Sequence, residues 1–223
     1  MGGMIEFQSN GHTFQGYLAS PSQPGPGVVV IQEWWGLVDH IKDVCDRFAK
    51  AGFNALAPDI YQGESTTEPE EAGTLMMALR VPEAAEILTS AVDALLANPM
   101  TQGDRVGTVG FCMGGQLSLF AATLTPKVGA CVNFYGIHPH VQPELANLHC
   151  KVLGIFGSRD HMTSPEVVAD LSAKLDAAGK AHEFHTYDAD HAFFNDSRPE
   201  VYNAEAAADA WSRMLAFFRS ELA

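Results

Sequence analysis

The 223-residue sequence has no apolar run of the roughly 18 residues that a membrane-spanning helix needs. Its opening, "MGGMIEFQSNG", lacks a basic stretch leading into an apolar one, which argues against a secretory signal. Gly2 could begin a myristoylation motif, but Glu6 stands where that motif requires Ser or Thr. A cytoplasmic protein with no membrane partner is expected. Basic side chains are scarce: 13 Lys and Arg against 27 Asp and Glu give a net charge of −14. Such a surface repels the phosphate backbone, so nucleic acid is not an expected partner either. Cysteine is sparse and unpaired. Cys45, Cys112, Cys131 and Cys150 lie far apart with no CxxC pair, and in this compartment reduced thiols are expected. Three of them, Cys45, Cys131 and Cys150, fall in apolar patterns and read as small buried hydrophobes. Among histidines, the pair His138 and His140 and the neighbours His149 and Cys150 lack the spacing of a tetrahedral metal site. No metal or other cofactor is expected.

What is present is a rhythm. Apolar, often β-branched runs occur at 27–32, 53–58, 105–111, 129–135, 151–157 and 183–187, with helix-period segments between most of them. In 39–52, Ile41, Val44, Cys45, Phe48 and Ala49 share one face and Gly52 closes the helix. Ser164 and Pro165 form a cap and first turn for a helix ending near Gly179. The last helix carries Trp211, Met214, Leu215 and Phe218 on one stripe. The acidic stretch 63–73 reads as a solvated loop entering a helix. Near-continuous apolar strands alternating with helices predict an α/β fold: a mostly parallel sheet covered on both faces. An opening hairpin with a turn at Asn10-Gly11 adds an antiparallel edge. No linker or repeat divides the chain, so 1–223 is expected to be a single domain.

The segment "GFCMGG" at 110–115 follows the strand 105–111 and must turn sharply into a helix over 113–125. Gly110 and Gly114 remove the side chains that such a bend crowds, and Gly115 lets the helix approach the sheet. The pattern reads as a nucleophile elbow with Cys112 in the nucleophile's place. The elbow lifts the sulfur above the C-terminal edge of the sheet, and the helix N-terminus beneath it favours a thiolate. An elbow nucleophile is followed in the chain by an acid after a later strand and a histidine after the last one. Asp160, just past 151–157, and His191, just past 183–187, stand in those places. His191 would act as base and Asp160 would orient its ring. Asp188 and Asp190 are rival carboxylates on the histidine's own loop. After the strand at 27–32, "QEWWG" provides the second oxyanion donor, so the backbone N–H groups of Trp34 and Met113 are the candidate pair, an effect commonly worth about 3 kcal/mol per donor. Glu33, leaving a buried strand beside the thiol, could hydrogen-bond it or take its proton. Trp35 and Tyr135 are candidate substrate contacts.

"IQEWWG", "APDIYQG", "GFCMGG", "GSRD" and "DADHAFF", together with the opening hairpin, resemble the dienelactone hydrolase family over essentially the whole chain. The resemblance implies an α/β-hydrolase fold of about eight strands and a triad of Cys112, His191 and Asp160. It also implies that Glu33 partners the resting thiol and helps generate the thiolate. The best-known members of that family open a carboxylated unsaturated lactone and hold its carboxylate with arginines, one of them four residues after the triad histidine. That position is Asn195 here, and the segment 63–73 contains no arginine. Arg80, Arg159, His138 or His140 could substitute, although Arg159 reads as a surface pairing partner. The expected activity is therefore hydrolysis of a small ester or lactone through an acyl-enzyme on Cys112, in a monomer or weak homodimer. The alternative is a non-catalytic ligand-binding module on the same fold.

Overall fold

The computed structural model describes residues 2–9 and 11–223. Eight strands form one sheet: β1 Gly3–Ser9, β2 His12–Ala19, β3 Gly25–Ile31, β4 Asn54–Pro58, β5 Thr101–Phe111, β6 Val128–Phe134, β7 Lys151–Gly157 and β8 His182–Tyr187. Their order across the sheet is β1-β2-β4-β3-β5-β6-β7-β8. The pairings β1–β2 and β2–β4 are antiparallel and all the others parallel. The hairpin closes over the cross-strand pair Phe7 and Phe14, whose rings lie 5.8 Å apart. Of the predicted turn, Gly11 takes φ +84°, while Asn10 lies outside the described residues.

Six helices cover the sheet: α1 Asp39–Lys50, α2 Pro69–Met77, α3 Val81–Ala97, α4 Met113–Leu124, α5 Pro165–Ala177 and α6 Ala204–Glu221. The stripe expected on α1 is buried at Ile41, Val44, Cys45 and Phe48. It meets the stripe on α6, with Phe48 at 4.8 Å from Trp211 and 6.0 Å from Phe218. β6 is buried along its whole length, and β3 and β7 nearly so, as both faces of a helix-covered sheet require. The acidic stretch is the exposed approach to α2. Ser164 does precede α5, but its hydroxyl donates to the Glu166 carboxylate at 2.6 Å and caps no backbone N–H. The nearby acid outcompetes the weaker backbone interaction. Cys45 and Cys131 are fully buried, whereas Cys150 is only half-buried. Among the described residues no helix is long and apolar enough to cross a membrane.

β4 lies on one side of β3 and β5 on the other, so the strand order reverses between β3 and β5. Ligands of such sheets bind outside the C-terminal ends of strands at that point. Ile31 of β3 pairs with Gly110 of β5 there, which brings the residues that follow both strands together.

Candidate active site

Glu33 and Cys112 leave the sheet on either side of this reversal. Cys112 sits between β5 and α4 with φ +55° and ψ −122°, a conformation that costs a non-glycine residue about 1–3 kcal/mol. Backbone bonds hold it there. Its N–H donates to Phe134 O at 3.1 Å, and its C=O accepts from Gly115 N at 2.9 Å and Ile137 N at 3.2 Å. A methyl group on Gly110 would collide with the Gly114 carbonyl, and one on Gly114 with the carbonyls of Ile31 and Gln32. The glycines are therefore a steric condition for the bend. In one respect the structure departs from the expectation. Cys112 retains only 3% of its surface, so the sulfur is enclosed at the sheet edge and not lifted into an open cleft.

Asp160 follows β7 and is 2% exposed. Its Oδ1 accepts from the backbone N–H groups of Met162 at 2.7 Å and Thr163 at 2.8 Å, which fixes the carboxylate in a tight turn. Oδ2 lies 2.6 Å from His191 Nδ1. The rival carboxylates face elsewhere, since Asp188 and Asp190 both pair with Arg159 at the surface. Burial opposes charge on the His191 ring, but the bond to Asp160 and the adjacent Cys112 sulfur outweigh it and push its pKa up to about 10. Burial likewise raises Asp160, but the His191 bond and charge and the two backbone donors overcome it and hold its carboxyl below the usual range. The other ring nitrogen, Nε2, is buried and makes no well-formed hydrogen bond, although the thiol is near enough to act on it. Tyr135 follows β6 at φ +39° with its ring 5.0 Å from that of His191. It is fully buried and its hydroxyl has no side-chain partner. Ala192, next to His191, is also held at φ +62°.

Glu33 is 1% exposed, and burial raises its pKa. Its Oε2 accepts from Asn195 Nδ2 at 2.7 Å, while Oε1 is buried without a partner. Asn195 is turned that way because its own Oδ1 accepts from Ser197 N at 3.0 Å and from the Ser197 hydroxyl. The residue at the position expected for an arginine is thus a neutral donor to Glu33. Trp34 and Trp35 pack edge to face at 5.0 Å, both half-buried. Among the described residues, neither the Trp34 nor the Met113 N–H finds a backbone acceptor outside its own element. Above Met113, the Tyr61 hydroxyl donates to its sulfur at 3.1 Å.

A cavity of about 570 Å³ opens beside this cluster, lined by Trp35, His40, Thr66, Asn195 and Arg198 among others, though by neither Cys112 nor His191. Arg198 lies 5.5 Å from the Trp35 ring and pairs with Glu200. Arg80 pairs with Glu83 and is exposed, so Arg198 is the arginine that reaches the site region. Sequence reasoning tested the position four after His191 and the segment 63–73, named Arg80 and Arg159 as substitutes, and passed over it. His138 has both ring nitrogens engaged, by Met76 O at 3.0 Å and His140 N at 3.1 Å. Among the described residues no three His, Cys, Asp or Glu side chains converge as a metal site.

The model of the dienelactone hydrolase family matches residues 14–222. The chain belongs to the dienelactone hydrolase family. "Protein usf" of Aquifex pyrophilus is 38% identical, with both chains covered in full. A protein of Aquifex aeolicus named "Putative carboxymethylenebutenolidase" is 34% identical, again over the full length of both. The crystal structure titled "Putative Dienelactone Hydrolase" from Klebsiella pneumoniae is 30% identical and superimposes with a TM-score of 0.86, covering 98% of each chain. The α/β-hydrolase fold expected from the sequence is the fold observed. As a member of the dienelactone hydrolase family the protein is a hydrolase.

Proposed function

We propose that the protein hydrolyses a small ester or lactone through an acyl-enzyme on Cys112, acting as one domain and without a metal ion. The observation that carries this reading is the His191 ring. It is bonded at Nδ1 to a buried carboxylate 2.6 Å away and leaves Nε2 unpartnered toward the elbow thiol. The Cys112 sulfur attacks the ester carbonyl, forming the S–C bond as the C–O bond to the alkoxide breaks. His191 gives the alkoxide a proton, then takes one from the water that cleaves the thioester. Asp160 fixes the tautomer and steadies the imidazolium. The N–H groups of Trp34 and Met113 receive the developing oxyanion. Glu33 takes the proton of the resting thiol, a role supported by its raised pKa and free Oε1.

The enclosure of Cys112 favours small acyl groups. Asn195, spent on Glu33, puts no cation at the position four after His191, and Arg198, which lines the cavity, is already paired with Glu200. A neutral ester or lactone therefore fits better than the carboxymethylenebutenolide named for the relatives. Burst release from a chromogenic acetate ester tests the reading. We expect one equivalent per protein, abolished by carboxamidomethylation of Cys112 and untouched by EDTA. Turnover that survives alkylation of this thiol would overturn it, and no turnover of any ester would favour the binding module.

A further inference from the structure

The Tyr61 hydroxyl spends its proton on a weak acceptor, the Met113 thioether sulfur 3.1 Å away. Tyr61 is half-buried and Met113 fully buried. Burial raises the phenol above its ordinary pKa, so it stays a donor through the neutral range. No proposed step uses this contact. The turn that carries Tyr61 is nonetheless built to hold it. Just past β4, Asp59 N donates to Gln15 O at 2.9 Å, which ties the turn to β2. The buried Asp59 carboxylate accepts from Tyr61 N at 3.2 Å and from Gly63 N at 2.7 Å. Gln62 and Gly63 close the turn at φ +53° and +105°.

The same turn reaches the other side of the proposed oxyanion site. Ile60 N donates to Gln32 Oε1 at 3.1 Å, and fully buried Gln32 stands two residues before Trp34. The turn 59–63 therefore grips both segments whose N–H groups, those of Trp34 and Met113, face the developing charge. The grip matters most at Met113. Its N–H belongs to the peptide that follows Cys112, so its direction depends on the Cys112 ψ of −122° at φ +55°. Such a conformation persists only where its surroundings over-determine it. Holding the Met113 side chain removes one way for that peptide to rotate and relax.

We propose that Tyr61 is a positioning residue for the oxyanion site: through Met113 Sγ it keeps the Met113 N–H aimed at the carbonyl oxygen of the bound ester. The inference rests on the role proposed above for Met113. A misplacement of about 1 Å in such a group can cost on the order of 10²-fold in rate. Releasing one side-chain bond should cost less than that.

The test compares two reactions of one sulfur. Hydrolysis of the chromogenic acetate puts negative charge on oxygen in both acylation and deacylation. Alkylation by iodoacetamide forms an S–C bond as iodide leaves and creates no oxyanion. Tyr61→Phe keeps the ring and removes only the hydroxyl. We expect its burst rate and kcat to fall roughly tenfold, with KM and the Cys112 alkylation rate each within about twofold of wild type. Met113→Leu removes the acceptor, keeps the N–H and should give a similar loss. The double variant should lose no more than the weaker single variant, because both break the same contact. Unchanged kcat in Tyr61→Phe, an alkylation rate that falls with kcat, or losses that multiply in the double variant would each overturn the proposal while leaving the hydrolase reading intact. A wild-type protein that gives no burst with any ester would overturn that reading, and this role with it.

Discussion

The two ends of the central sheet treat buried polar groups in opposite ways. At the N-terminal end of the parallel strands, Asn54 is fully buried at the start of β4 and completely bonded. It donates to Asn98 at 3.2 Å and to Thr101 at 2.9 Å, and accepts from Ser20 at 2.8 Å. At the C-terminal end, Gln32, Glu33, His40, Asn133, Tyr135 and His191 each keep a buried nitrogen or oxygen without a partner. Four residues there, Gln62, Cys112, Tyr135 and Ala192, also hold positive φ without being glycine. One end is finished for stability. The other retains desolvated groups and backbone strain, the signature of a site arranged to receive something.

Substitutions can break this comparison. The largest effect is expected for Cys112→Ala, which should lower ester turnover by about 10³-fold or more with the thermal transition little changed. Equal turnover in the variant would empty the C-terminal end of its proposed purpose. Asp160→Asn should cost roughly 10²–10⁴-fold in kcat, because the ring loses its orienting acceptor. It should also change stability with a distinct pH signature. His191 has a folded pKa of about 10 against an ordinary 6.5, so the stability it contributes is full below 6.5 and lost as pH rises through 10. Asp160, lowered from 3.8, contributes above that value and loses its share as pH falls through its folded pKa. Denaturant titrations should therefore show the wild-type advantage over Asp160→Asn largest between these limits and fading toward alkaline pH.

At the opposite end, Asn54→Ala strands the groups it served and should cost about 1–3 kcal/mol while leaving kcat/KM within twofold. A large activity loss would mean the two ends are not separable. The smallest shift sharpens the contrast most. Glu33 has its pKa raised from 4.5, so ionising it above that pH works against the fold. Glu33→Gln keeps an acceptor for Asn195 and should raise stability by about 1 kcal/mol near neutrality, even as it slows turnover. A less stable Glu33→Gln protein would show that the carboxyl is there for the fold.

Much of this was legible in the sequence because it is local. The strands at 27–32 and 151–157 and the helix at 39–52 announce themselves through periodicity. The three glycines around Cys112 announce a bend whose geometry allows nothing larger. Asp160 could be ranked above Asp188 and Asp190 by chain order and because those two share the histidine's own loop; in the structure Asp160 lies 2.6 Å from His191. What stayed hidden depends on distant loops meeting. His40 and Asp196 are 156 positions apart, and neither lies in a motif. Asn195 was noticed for the arginine it is not; its hydrogen bond to Glu33, 162 positions away, needs the fold. Arg198 falls at no offset that a pattern would test. The enclosure of Cys112 is a property of several packed loops, which no single stretch of sequence encodes.

The scant 3% of Cys112 left uncovered also bears on how a covalent cycle would finish. An acyl group seated on that sulfur would be reachable by a water molecule yet screened from bulky alcohols and amines. Competing acceptors added to the medium should then fail to divert the product, making the protein a committed hydrolase and a poor acyltransferase.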